Sequence, residues 1–258
     1  MDLGINGLRV LVTAGAGGIG LETARAFAEE GAKVHVCDVD EASLAALATS
    51  DPHITRSKTD VADRQAVAAL FEEAVRELGG LDVLINNAGI AGPTGRVEEI
   101  GPDEWDRTLE VCLTSQFNCV RLAVPLLKHS ENPSIVNLSS AAGKFGFALR
   151  SPYSAAKWGV IGFTKSLARE LGEFGIRVNA ILPGAVAGDR QRRVMEAKAQ
   201  QLGLAYAEME ARVLANGSIR EYVTARQLAD QILFLCSPRG RTISGQALSI
   251  DSDLQTLF

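Results

Sequence analysis

Near-continuous apolar runs rich in β-branched residues recur along the chain, and each of the early ones is followed by a segment of helical periodicity. The runs are LRVLVT (8–13), AKVHVC (32–37), LDVLIN (81–86), SIVNLS (134–139), IRVNAIL (176–182) and QALSI (246–250), with a weaker one at HITRSK (53–58). Helical patterns fall at 19–30, 41–49, 63–78, 103–129, 153–173 and 225–236. A strand that is apolar on both faces must be covered on both faces, and strands separated by helices run parallel through right-handed crossovers. The expected fold class is therefore α/β, a doubly wound parallel β-sheet in one domain spanning 1–258. Segment 188–218 breaks the rhythm. It is polar, helical in pattern, and leaves the carboxyl end of a strand, where open α/β sheets bind their ligands, so it is expected to be a helical lid.

Composition narrows the partners. With 47% hydrophobic and 22% charged residues the chain can bury a sizeable core. A net charge of −5 with no basic block argues against nucleic acid and membrane surfaces as partners. The start carries no leader pattern and no run approaches the roughly 18 apolar residues of a membrane span. A cytoplasmic protein acting on a small molecule is the expectation. Cys37, Cys112, Cys119 and Cys236 form no CxxC pair, and His35 beside Cys37 has no second pair near it in sequence, so neither a metal site nor a disulfide framework is readable. Cys112 and Cys119 would stand about 10 Å apart along a helix axis, too far for a disulfide.

The first strand runs into TAGAGGIG (13–20) and then a helix. Glycines there let the backbone approach a pyrophosphate, which the free N–H groups and positive dipole end of the helix would hold. Strand, glycine turn, helix and a second strand ending in Asp38 together make a dinucleotide-binding arrangement. Asp38 is placed to accept from the adenosine ribose hydroxyls. A 2′-phosphate would meet like charge there, with no arginine or lysine from Val39 or the turn to compensate, so NAD is favoured over NADP. A solvated acid at a strand end is the competing reading.

Downstream, Pro152 can open a helix that sets Tyr153 and Lys157 one turn apart on one face. A cation about 4 Å from the phenol, at an effective dielectric near 20, is worth on the order of 4 kcal/mol, enough to bring the phenol's titration toward neutrality and suit it to acid/base work. Alone, this spacing is common on solvated helix faces. Ser139 and Ser140, ending the preceding strand at the same sheet edge, give it company.

TAGAGGIG, Asp38, TDV with Asp60, NNAG (86–89), NLSSAAG (137–143), YSAAK (153–157), RVNAILPG (177–184) and SGQALSID (244–251) occur in this order across essentially the whole chain. In these motifs the sequence resembles the short-chain dehydrogenases/reductases. The resemblance implies a Rossmann fold, hydride transfer between NAD and a secondary alcohol or ketone, and a homo-oligomer, tetramer or dimer. It implies Ser140 as the group polarising the substrate oxygen, Tyr153 as the acid/base, and Lys157 as its partner and a ligand of the nicotinamide ribose. The cofactor would be held by Gly15, Gly18, Ile19, Gly20 and Asp38, by Asp60 with Val61 at the adenine, by Asn87, Ala88 and Gly89 along the groove, and by Pro183, Gly184 and Val186 at the carboxamide.

Three positions depart from that family. Ala14 stands where a turn glycine is usual, and is acceptable if its φ is negative. Gly188 replaces a threonine that bonds the cofactor. Cys112, aligned through Trp105 and the following Val111 and Leu113, replaces a catalytic asparagine that supports a proton relay behind the lysine. A thiol is a weak donor and acceptor and cannot reproduce an amide. Nor is it an evident nucleophile, since no base adjoins it in sequence. A dinucleotide-binding regulatory or scaffold protein that has lost turnover is therefore the alternative. Lys144, Phe145, Phe147, Arg150, Asp189, Arg190, Arg192 and Arg193 are expected to face the substrate. Of these, Lys144, Arg150 and Arg190 join Ser140 and Tyr153 as substrate-binding candidates. Arginine favours carboxylate or phosphate oxygens, so a polar substrate is expected, a sugar, polyol, sugar acid or hydroxy acid, the acids being those that such arginines would pair with. Solvated surface arginines are the competing reading.

Overall fold

A computed structural model of the chain describes residues 2–257. Among them, seven strands form one parallel sheet: β1 (Arg9–Thr13), β2 (Lys33–Asp38), β3 (Thr55–Lys58), β4 (Val83–Asn86), β5 (Ser134–Leu138), β6 (Arg177–Pro183) and β7 (Ala247–Ile250). Their order is β3-β2-β1-β4-β5-β6-β7. The doubly wound Rossmann arrangement expected from the alternating pattern is thus present. Chain direction across the sheet reverses between β1 and β4, which opens a crevice above their carboxyl ends.

Alternate side chains of each strand feed opposite faces. Val10 and Val12 of β1 pack with Val34, Val36, Phe27 and Ile232, whereas Leu11 packs on the other side with Leu84, Ile135, Leu70 and Leu127. The first face is covered by α1 (Gly18–Glu29) and α9 (Ala225–Cys236), the second by α3 (Arg64–Leu78), α5 (Ser115–Leu127) and α6 (Ser151–Leu171). β5 and β6 are buried throughout, as central strands covered on both faces must be. β3, at the sheet edge, is partly exposed, which explains its weak apolar signature. α2 (Glu41–Ser50) starts at Asp40, whose side chain accepts from the Ala42 N–H.

The helix read across 103–129 is present but is not a uniform α-helix. α4 (Pro102–Leu109) and α5 are joined by a widened π-type turn at Glu110–Thr114, in which the Ser115 N–H reaches back to Glu110 O. Such turns displace backbone carbonyls from the usual i to i+4 register, and Cys112 sits within this one. The insertion at 188–218 contains two helices, α7 (Asp189–Leu202) and α8 (Tyr206–Leu214), joined at Gly203 in the left-handed region. Buried Met195, Ala199 and Met209 seat the pair.

Candidate active site

The turn after β1 brings α1 close to the sheet. A Cβ on Gly15 would fall 2.6 Å from Val36 Cβ, and one on Gly20 would collide with the Ala14 carbonyl and the Asn87 amide. Both positions therefore need glycine. Asn87 Nδ2 donates to Thr13 O (3.0 Å) and Ala14 O (2.9 Å), while the N–H groups of Asn87 and Ala88 donate to Thr13 Oγ1. The loop after β4 thereby sets the shape of the loop after β1. Ala14 has φ +50°. The condition of a negative φ is not met, and the residue carries left-handed strain that a glycine would not. α1 begins at Gly17 with no side-chain cap and no acid in its first turn, so its N–H groups and dipole remain directed at the crevice.

Asp38 faces this turn, accepting from Ala16 N–H and Asp40 N–H at 3.2 Å each. The cation across the sheet, Lys58, is ion-paired to Glu41. Asp40 and Ser43 join Asp38 along the wall of a cleft of about 830 Å³. The glycine cradle, the uncapped helix end and the carboxylate at the far ribose position fit a nicotinamide dinucleotide. Gly18, Ile19, Asn87, Gly89, Pro183, Gly184 and Val186 line the same cleft. Asp60 and Val61 do not. Burial raises the Asp60 carboxyl, but the Ala62 N–H and the Arg107 guanidinium, 2.8 Å away, outweigh it and hold the group below its usual range. Val61 is buried.

At the cleft's other end the chain brings Ser140, Tyr153 and Lys157 together. Ser139 Oγ donates to Lys157 O at 2.7 Å, which locks α6 against the end of β5. Gly143 makes this approach possible, since a Cβ there would strike both atoms. Ser140, the next residue, caps the short turn that follows by accepting from Ala142 N–H. Its hydroxyl hydrogen has no partner among the described residues and can be donated to a ligand. Lys157 is buried, with Nζ donating to Leu138 O at 2.8 Å and lying 5.6 Å from the Tyr153 ring centroid. Cys112 is fully buried nearby, its Sγ 3.4 Å from Ile90 O.

Beyond Tyr153 the wall is cationic. Arg150 is buried, donates to Ala91 O, and places its guanidinium carbon 5.3 Å from the Tyr153 and Phe147 ring centroids. Lys198 of α7 stands 4.3 Å over Phe147. Burial, with Arg150 beside it, lowers the Lys198 ammonium to about 8. Phe147, Asp189 and Arg193 also line the cleft, as expected. Lys144 does not: it pairs with buried Asp251 at 2.7 Å, and Phe145 and Arg192 likewise lie off the cleft wall. The side chain of Arg190 lies outside the described residues. Lys198, Met195 and the tail residues Leu254, Thr256 and Leu257 line the cleft without having been singled out in sequence. Lys198 was recoverable, being three residues from Met195 on one helix face. The tail carries no signal at all.

Gly188 precedes α7 at φ +143°. A threonine would be strained there, so its absence follows from how α7 is launched. Val186 is held by a bridge to Val223, with Ala187 N–H donating to Val223 O and Val223 N–H to Ala185 O.

A parallel sheet with a dinucleotide cradle at one end of its crevice and serine, tyrosine and lysine at the other defines a nicotinamide-dependent oxidoreductase of alcohol and ketone groups. Residues 14–253 match a family profile described as enoyl-(acyl carrier protein) reductase. The chain is 33% identical over 252 residues to D-beta-hydroxybutyrate dehydrogenase of Cupriavidus necator, covering 96% of this chain and 97% of that one. It is 37% identical over 251 residues to trans-4-hydroxycyclohexanecarboxylate dehydrogenase of Sinomonas cyclohexanicum, covering 93% and 90%. The crystal structure of an actinorhodin polyketide ketoreductase variant with NADPH superposes at a TM-score of 0.89, with 33% identity over 95% of this chain and 96% of that one. The chain belongs to the short-chain dehydrogenase/reductase family.

Proposed function

We propose that the chain is an NAD-dependent dehydrogenase interconverting a secondary alcohol and its ketone, on a substrate that carries an anionic group such as a carboxylate. The observation that carries this reading is one cleft with Asp38 at one end and Tyr153 flanked by Arg150 and Lys198 at the other.

The glycine turn and the N-terminus of α1 would hold the pyrophosphate, Asp38 the adenosine ribose, Lys157 the nicotinamide ribose and Val186 the carboxamide. Asp38 and Asp40 together disfavour a 2′-phosphate. When bound, the dinucleotide supplies the hydride acceptor or donor. Ser140 donates its hydroxyl hydrogen to the substrate oxygen and fixes it beside Tyr153. Tyr153 takes the alcohol's proton in oxidation and returns it in reduction. Lys157, anchored on Leu138 O, sets its positive charge close to the phenol. Arg150 and Lys198 hold the substrate's anionic end, and the carboxylates named in the hydroxybutyrate and hydroxycyclohexanecarboxylate relatives accord with such an anchor.

The test is cofactor reduction with NAD and NADP against a panel of hydroxy acids, sugar acids, sugars and polyols. Turnover should favour NAD and the acids, and Tyr153→Phe should abolish it. Turnover undiminished in Tyr153→Phe would refute the mechanism.

A further inference from the structure

Gln116, on the first turn of α5, is buried. Its Nε2 donates to Cys112 O and to Leu138 O, 3.4 Å each. Leu138 O also receives Lys157 Nζ, so glutamine and lysine share one acceptor. Two carbonyls facing one end of the amide identify that end as the donor. The other end, Oε1, is buried with no partner among the described residues. A methionine would fill the same volume without an unmatched buried acceptor. Cys112 supplies no amide here, since a thiol donates and accepts weakly. Yet it stands in the right place for one. A Cβ on Gly89 would lie 3.4 Å from Lys157 Nζ and 3.7 Å from Cys112 Sγ, so ammonium and thiol flank the same backbone position.

Building on the catalytic reading above, we propose that Gln116 is a positioning residue for Lys157. It fixes the carbonyl on which the ammonium is anchored, and it brings to this buried space the amide that position 112 lacks. The π-type turn makes this possible by leaving Cys112 O where the Gln116 side chain can cap it. Support of this kind keeps a reacting group within the narrow tolerance its chemistry requires.

Gln116→Met preserves volume and removes the amide. The NADH dissociation constant, read by quenching of intrinsic fluorescence, should rise about fivefold and kcat should fall about tenfold, with KM for the alcohol within about twofold and the thermal midpoint within about 2 °C. Adding Cys112→Asn should return affinity and kcat to within about twofold of the parent, because it restores an amide beside Lys157 from the neighbouring turn. A glutamine that only packs would not be rescued this way. Unchanged NADH affinity and kcat in Gln116→Met would overturn the assignment, as would losses that persist after Cys112→Asn in a folded protein. Should Gln116→Met fail to fold, Gln116→Asn, too short to span both carbonyls, carries the same expectations. The NADH measurement needs no substrate. A parent protein that binds NADH but turns nothing over would refute the proposed reaction, and NADH affinity would then decide the role of Gln116.

Discussion

Lys198→Met is the substitution that most directly tests the anionic-substrate reading. Lysine and methionine share most of their apolar stem, so side-chain volume is largely kept while the charge, and with it the ammonium's contact over the Phe147 ring, is removed. An ammonium and a carboxylate about 4 Å apart at an effective dielectric near 20 attract by about 4 kcal/mol. Desolvation takes back part of that, leaving about 1.5–3 kcal/mol for a charge-assisted contact. This corresponds to a loss of about 10- to 150-fold in kcat/KM on an anionic alcohol. A neutral alcohol of similar shape should lose less than about threefold, and NAD affinity should not change, because Lys198 stands over Phe147 and Arg150 rather than against any group assigned to the cofactor.

The parent enzyme adds a second signature. With the Lys198 ammonium lowered to about 8 by burial and by Arg150, the cation is present below that pH and lost above it. KM for the anionic substrate should therefore climb as pH passes about 8, to the extent that the bound anion does not itself pull the ammonium back up, and the climb should vanish in Lys198→Met. Initial rates followed by nicotinamide absorbance, on paired charged and neutral substrates, measure both effects. Equal losses on the two substrates, or none on the charged one, would refute the reasoning.

Ala14→Gly should stabilise the protein. Relief of left-handed strain, about 1–2 kcal/mol, exceeds the added freedom of glycine in the unfolded chain, about 0.4–1 kcal/mol, so calorimetry should show a midpoint higher by roughly 1–4 °C. His35 is fully buried between Thr55 and Ser57, and burial lowers its imidazole to about 4. The unfolded chain binds this proton more readily, so the stability His35 contributes is present above about pH 6.5 and is lost as pH falls toward about 4. That loss should reach about 3 kcal/mol in urea unfolding, and His35→Gln should flatten the acid limb of the curve.

The strands were legible because a parallel sheet buries both faces, which writes a continuous apolar run into β1, β2, β4, β5 and β6. Ser140, Tyr153, Lys157 and Asp38 were legible as candidates because their spacing sits on strand ends and one helix turn. Other features depend on quantities that residue identity does not encode. Nothing in the stretch EVCLT distinguishes a π-type turn from an ordinary one, so 103–129 read as one helix. Alanine at position 14 says nothing of its own φ. Lys144 looks like a cleft cation until β7 brings Asp251 to it from more than a hundred residues away.

The three departures from the family pattern share a location and a character. Ala14 and Gly188 line the crevice, Cys112 is buried behind it close to Lys157, and each meets a specific local answer in the chain. The strained turn at Ala14 is pinned through its carbonyl by Asn87. Gly188 takes a backbone angle that launches α7, the helix carrying Lys198. Cys112 is followed one turn later by Gln116, which caps the carbonyl of that same residue. A site drifting away from catalysis would have no reason to keep Lys157 buried on Leu138 O, since an unneeded buried cation is costly and readily lost. We therefore read the departures as refitting around an intact serine, tyrosine and lysine. On that reading the scaffold alternative loses the support that Cys112 alone had lent it.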